Sequence, residues 1–489
     1  MIHYWQRKSK IKDRVYIPRY YDPSISSDLH SISHTHDLLN IEQLVNDGVI
    51  SFSTGNEIGK LAYGTGDIPF VRTSDISNWE IKTTPKQGVS EDIYLEYAES
   101  QDVQVGDILL VRDGTYLIGT NCIITELDQK ILYQSHILKI RINDKDRIDP
   151  LLLFIVLNSE IVQRQIRSFQ FTADTIDTIG NRFLELTIPI PKDIGKKQIL
   201  SKQINDLLDE RDRGRAFIKQ APVLMEEVLS KNDTAPITSL LSKKWDDILS
   251  ELKQETVTAE FGHFETFWRT SKSINDRIYL PKYYDPEITE ELVSLQKTCD
   301  CVSIGELMQK NVIQCTTGDE IGKMAYGTGT IPFIRTSDFS NWEIKHDPKQ
   351  GVSEEIYNEY AHSQDVQAGD ILLVRDGTYL VGNSCIINDA DKRILFCSGI
   401  YKIRVLDDSQ IDPWLLLGLL NSYIVKRQIR TKQFTRDVID TIGKRFLEVV
   451  LPIPKSVSVR EEISQQIKRV VTTRIKARQS ITTLSNEII

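Results

Sequence analysis

Two hydrophobic periodicities alternate along this chain. Short apolar runs bounded by glycine, proline and asparagine predict strands over residues 68–71, 108–111, 122–124 and 137–142. Asp149-Pro150 then predicts a helix start, with aspartate as N-cap and proline in the first turn. Leu152, Ile155, Val156, Ser159 and Val162 continue at helical spacing, and this helix is expected to end at Arg164 and Arg167. Leu186 to Pro191 predicts a closing strand. After it, Leu200, Ile204, Leu207, Arg211, Arg215 and Ile218 recur every three or four residues. That spacing predicts a long amphipathic helix with a charged outer face, about 25–30 residues and roughly 40 Å long. Its stripe is narrow, which suits pairing with another helix better than packing on a sheet. Pro222 is expected to kink or end it. Leu241, Trp245, Ile248 and Leu252 mark one further helix.

The whole pattern is written twice. Pro69 falls on Pro332, an offset of 263, and the same offset carries Arg14 onto Arg277, Trp79 onto Trp342, Arg112 onto Arg375 and Pro191 onto Pro454. Between Gly55 and Thr120 about four positions in five are identical to their mates. Ile463, Ile467, Val470, Arg474, Ile481 and Ile488 repeat the helical stripe. Units this large mean tandem domains and exclude a solenoid of short repeats. Each is expected to be α+β, a mixed and largely antiparallel sheet with helices.

Charge and cysteine usage narrow the function. The net charge of −9 argues against a wholly basic, nonspecific nucleic-acid binder but allows a reader whose positive charge is local. No apolar run is long enough to span a bilayer, and the first residues have no apolar signal core, so a cytoplasmic protein is expected. Six cysteines without paired metal spacing read as reduced thiols, with no zinc.

Three stretches carry candidate chemistry in both copies. The tip Arg72-Thr73-Ser74-Asp75, repeated as Arg335-Thr336-Ser337-Asp338, sets a guanidinium, two hydroxyls and a carboxylate side by side. Those groups suit phosphate oxygens and base edges, or equally a turn in which Asp75 satisfies Arg72. Lys82, Lys86 and Gln87, matched by Lys345, Lys349 and Gln350, flank a proline turn and form either a phosphate and base-edge contact or a solvated loop. Arg112 and Arg375 close an apolar strand before Asp-Gly, where each could reach phosphate or pair with its neighbouring aspartate. Arg436 belongs to a basic cluster stronger in the second copy, with Ala173 in its place in the first. Asp75, Glu80 and Lys82 together are a weak match to a metal-dependent nuclease, the acid lying too close in sequence. His136 faces Gly399, so a histidine shared by both copies is excluded as a catalyst. There is no nucleotide P-loop, dinucleotide fingerprint, metalloprotease helix or amino-methyltransferase tetrapeptide.

Taken in order, these parts resemble the specificity subunit of type I restriction-modification systems. They are an arm ending Tyr20-Tyr21-Asp22-Pro23, Ile68-Pro-Phe-Val-Arg-Thr-Ser-Asp75, Gly106-Asp-Ile-Leu-Leu-Val-Arg-Asp-Gly114, Pro189-Ile-Pro191 and a long helix, all given twice. The resemblance implies two target recognition domains, at 1–192 and 263–455, a helical spacer region at 193–262 and a C-terminal helix at 456–489. The helices would pair as an antiparallel coiled coil. It implies a non-catalytic, double-stranded-DNA-reading subunit that recruits two DNA methyltransferase subunits, and motor-nuclease restriction subunits in the full complex. S-adenosylmethionine would sit on the methyltransferase, with no cofactor or metal in this chain. A conventional restriction enzyme and a methylation-based phage-defence complex both fit. The alternatives are the nuclease and an adaptor that binds protein and does not read DNA. The near-identity of the two domains and the long segment 227–266 depart from the family pattern.

Overall fold

At the centre of the first repeat lies a four-stranded antiparallel sheet in the order Ile50–Thr54, Ile137–Ile142, Ile108–Val111, Asn121–Ile123. The chain is seen in a computed structural model that describes residues 7–12, 15–114, 116–173, 176–254, 266–274, 278–436 and 439–489. Arg14, Arg277 and residues 255–265 of the long inter-repeat segment lie outside these. Every residue of Ile108–Val111 is buried, as its unbroken apolar run requires. A smaller sheet places Ile68–Val71 between Gln87–Val89, antiparallel, and Leu132–Tyr133, parallel. Hairpins Ile76–Ser77 with Glu80–Ile81 and Phe171–Ala173 with Ile176–Thr178 project from these layers, and His36–Asn40 pairs with Thr187–Pro191. The second repeat reproduces the same pairings 263 residues on. The α+β class with mixed, largely antiparallel sheets is therefore as the sequence indicates.

Four elements differ from expectation. The helix from Pro150 is two, Pro150–Leu157 and Glu160–Phe169. Asn158 and Ser159 turn back onto it, Asn158 Nδ2 donating to the Phe154 carbonyl and Ser159 Oγ to that of Val156. The helix around Trp245 is likewise two, Ala235–Ser242 and Trp245–Gln254. The strand placed at 122–124 runs Asn121–Ile123. The long helix spans 38 residues, Ile194–Lys231, about 57 Å at 1.5 Å per residue, and continues through Pro222. Proline removes one main-chain bond there, while Phe217, Ala221, Met225 and Val228 stay buried on both sides of it.

The chain divides into two compact units, residues 1–212 with 476–489, and residues 213–475. In the first, Leu200, Ile204 and Leu208 of the long helix join one core with Ile481 and Ile488 from the end of the helix Val457–Glu487, and with the buried face of Pro150–Leu157. His36 Nε2 lies 2.9 Å from the Ile488 carbonyl oxygen. In the second unit, Gly418 lies so close to Ile467 that a Cβ there would stand 2.3 Å from its Cδ1, with Met225 of the long helix also at hand. The start of one helix thus packs with the end of the other, and its end with the other's start, which is the antiparallel arrangement. Leu207 is only half-buried; the seam runs through Ile204, Leu208 and Arg211.

Candidate nucleic-acid interface

The strand Ile68–Val71 delivers Arg72 to the surface, and the chain turns at once. The Arg72 amide donates to Asp75 Oδ2 at 3.0 Å, the Asp75 amide to the Arg72 carbonyl at 2.8 Å, and the Lys86 amide to Asp75 Oδ1 at 3.4 Å. The Lys82 amide donates to the Asp75 carbonyl at 2.9 Å. Asp75 is therefore the knot that ties tip and lysine loop together, and it is 2% exposed. Burial pushes its carboxyl above the ordinary range, against the charge of Lys82 and the amides that favour the anion. The second repeat ties Arg335, Asp338 and Lys345 in the same way. Of the two readings of this tip, the turn is the one present in the main chain. The turn engages the arginine charge without a side-chain hydrogen bond at Nε: Arg335 Nε lies 3.7 Å from Asp338 Oδ2, the Arg72 charge favours the Asp75 anion, and both Nε atoms are buried without a hydrogen-bond partner. A buried, unmet donor at the same place in both copies is the exception among polar groups and marks where an acceptor from outside would fit.

The segment 134–136 bridges the tip to the third candidate stretch, at Arg112. Gln134 N donates to the Val71 carbonyl, and Arg112 N to the His136 carbonyl at 2.9 Å. Arg112 turns its guanidinium onto Asp113, with Nη2 2.7 Å from Oδ2, and Asp113 also accepts from Thr178 Oγ1 and lies 2.9 Å from His136 Nδ1. Burial opposes the charge on Asp113, yet the Arg112, Thr178 and His136 contacts outweigh it and hold its carboxyl below the usual range. Gly114 N donates to the Asp177 carbonyl, docking the hairpin 171–178 on the same rim. In the second repeat Arg375 pairs with Asp376, and a Cβ on Gly399 would meet Thr336 of the tip at 3.1 Å and Asp376 at 3.6 Å. Each unit thus gathers tip, lysine loop, Arg-Asp turn and hairpin at one rim.

Residues 40–222 match the family described as "Type I restriction modification DNA specificity domain". That match lies within the first repeat and covers less than half of the chain. Among solved structures the chain is similar to the type I restriction-modification S subunit from M. genitalium, at 13% identity over 93% of this chain and 94% of that one, with a TM-score of 0.31. It is also similar to the HsdS subunit from Thermoanaerobacter tengcongensis, at 14% identity over 93% and 92%, with a TM-score of 0.26. A third likeness is to a chain from a structure titled for the assembly and conformational transition of the type I R-M system, at 15% identity over 93% and 96%, with a TM-score of 0.27. No curated protein matches the chain. The domain match carries the assignment, and it bears out the resemblance read from the motifs.

Within each repeat the candidate side chains are not equally offered. Lys86 and Lys349 are exposed, and Arg72, Thr73, Ser74, Lys82, Gln87 and their mates Arg335, Thr336, Ser337 and Gln350 are half-buried at the rim. Lys345 departs from its mate Lys82 and is 4% exposed, so its ammonium is not presented as the sequence pattern had it. Arg112 and Arg375 are committed to their aspartates. Arg436 sits on the strand Phe434–Arg436, and its side chain lies outside the described residues. Glu80 turns away from the rim to meet Arg211 of the long helix at 3.2 Å, and Glu343 meets Arg474 at 2.9 Å, all four side chains buried. Both carboxylates of the nuclease reading are thereby used in structure, and no cluster of three metal-ligating side chains occurs among the described residues. The Arg211–Glu80 pairing was not legible in the motifs. Its signal was an arginine at a core position of the helical stripe.

Proposed function

We propose that this chain is the DNA sequence-specificity subunit of a type I-like restriction-modification or methylation-based phage-defence complex. It reads a bipartite, near-inverted DNA target and recruits two DNA methyltransferase subunits, joined in the full complex by motor-nuclease restriction subunits. The chain itself does no chemistry; S-adenosylmethionine belongs to the methyltransferase, and the complex works in the cytoplasm. Among the described residues no helix is long and apolar enough to cross a membrane. The observation that carries this reading is the match of residues 40–222 to a DNA specificity domain, in a fold that the second repeat reproduces with the same Arg-Thr-Ser-Asp tip. Long-read methylome sequencing of cells with and without the gene tests it. A methylated adenine motif should vanish with the gene and return with it. An unchanged methylome, with no adenine methyltransferase retained by the purified chain, would end the proposal.

A further inference from the structure

Leu61 and Met324 occupy the same position in the two repeats and are 94% and 92% exposed. An apolar side chain standing almost wholly in water is unremarkable once. Here it recurs in two separately folded copies, on a turn built to hold it still. Leu61 is the middle residue of the short helix Lys60–Ala62, and Met324 of Lys323–Ala325. Thr65 Oγ1 donates to the Ala62 carbonyl at 2.8 Å, and Thr328 Oγ1 to that of Ala325 at 2.8 Å. Gly64 and Gly327 take positive φ angles of 74° and 72°, and their amides donate to Gly88 and Gly351 across the sheet. Beneath the turn Tyr63 packs on Phe70 with centroids 5.6 Å apart, and Tyr326 on Phe333 at 5.5 Å. The flanking residues are an exposed lysine, Lys60 or Lys323, and an alanine, half-buried at Ala62 and buried at Ala325.

The turn also has a definite neighbour. The chain leaves it through Gly66 and the strand Ile68–Val71 and arrives at Arg72. In the second unit burial and the charge of Glu320 push up the Tyr326 hydroxyl, two residues beyond Met324, with the charge of Arg335 working the other way. An exposed apolar point with a lysine beside it, one short strand away along the chain from the tip arginine, has the composition of a wedge that enters a base step while the cation meets phosphate. We propose that Leu61 and Met324 are DNA wedges, one per half-site, each partly unstacking a base step next to the bases read by the tip. This rests on the specificity reading above.

The test uses the full chain copurified with its methyltransferase subunits. The probe is a duplex retained by that complex from a pool with a randomised stretch. 2-Aminopurine is walked along the probe, leaving out the methylated adenine, and bending is measured by circular permutation in gels. Two brightened steps are expected, one in each half, with a bend in the range of about 20–90°. Leu61→Ser with Met324→Ser, both surface changes that leave folding intact, should abolish brightening and bend while the same duplex is still preferred over a scrambled one. The exchange Leu61→Met with Met324→Leu should keep both signals. Brightening and bend that persist in the double serine variant overturn the proposal. So does a variant that keeps both but sheds its methyltransferase, which would make these residues a protein contact. A wild-type complex that retains no duplex defeats the specificity reading itself, before any variant is compared.

Discussion

Arg72 sits on a turn whose carboxylate, Asp75, is held by the Arg72 and Lys86 amides, and its Nε has no hydrogen-bond partner. Arg72→Ala should therefore leave the fold intact and cost on the order of 1–3 kcal/mol of DNA affinity if the guanidinium grips a guanine. One half-site should relax while Arg335 keeps the other, and a binding selection on the variant reads this directly; relaxation of both halves or of neither would refute it. A second single-residue effect belongs to one unit alone. Glu226 lies against Glu291, and burial together with that like charge pushes its carboxyl up to about 7, with Arg427 working the other way. A carboxyl that binds its proton more tightly folded than unfolded lends stability that fades as pH rises from the ordinary carboxylate range through about 7. Glu226→Gln should thus raise the melting temperature of the second unit by a few degrees at pH 8 and hardly at all at pH 5. Equal shifts at both pH values would show that the pair does not titrate as described. Neither the unmet Arg72 Nε nor the buried ammonium of Lys345 was legible in the sequence. Both depend on which way a half-buried side chain turns, and the motif is the same in both copies.

Between elements, the connection that matters is the buried pair of Glu80 with Arg211, repeated as Glu343 with Arg474. It joins the hairpin that follows the Arg72 tip to the long helix of the same unit. A buried ion pair adds little net stability over an apolar pair, but removing one partner strands the other. Glu80→Ala should cost about 3–5 kcal/mol in the first unit, and Glu343→Ala a similar amount in the second, read as lower urea midpoints. A change under 1 kcal/mol would mean the arginines find water instead. The hairpin itself is strained toward this role: Asn78 and Trp79 take φ angles of 52° and 64°, a two-residue turn that usually employs glycine. Trp79 is fixed by its Nε1 donating to Asn158 Oδ1 at 3.0 Å, whereas Trp342 meets Phe217 edge to face at 6.3 Å. The elements themselves were largely legible because the periods of two and of three to four are imposed by burial. Their interruptions were not. A break at Asn158-Ser159 and a helix that survives Pro222 are decided by side-chain to main-chain bonds and by packing on either side.

Across the whole chain, each unit is completed by the far end of the other repeat's helix: the first takes residues 476–489, the second takes 213–231. Deleting 476–489 should therefore weaken the first unit, which loses Ile481 and Ile488 from its core, and spare the second. Hydrogen exchange by mass spectrometry would show faster exchange in 36–190 and unchanged protection in 299–454; the reverse pattern would mean the units are wrongly divided. This reciprocal completion of two near-copies also shapes the expected target. Copies that share the tip, the lysine loop and the Arg-Asp turn should read similar half-sites. Duplex DNA has twofold axes of its own, so the motif should be a short sequence, a gap of unread bases and a near-inverted copy of the first. Exact palindromy is not expected. Thr83-Thr84 faces His346-Asp347, His136 faces Gly399, and Ala173 faces Arg436. Of these, His136 is placed to matter, since it holds the Asp113 that fixes Arg112, and Asp376 has only a glycine opposite it there. The two halves should therefore differ at one or two positions, and His136→Gly should move the first half toward the second. A methylome motif with two unrelated halves, or one contiguous motif without a gap, would contradict this account.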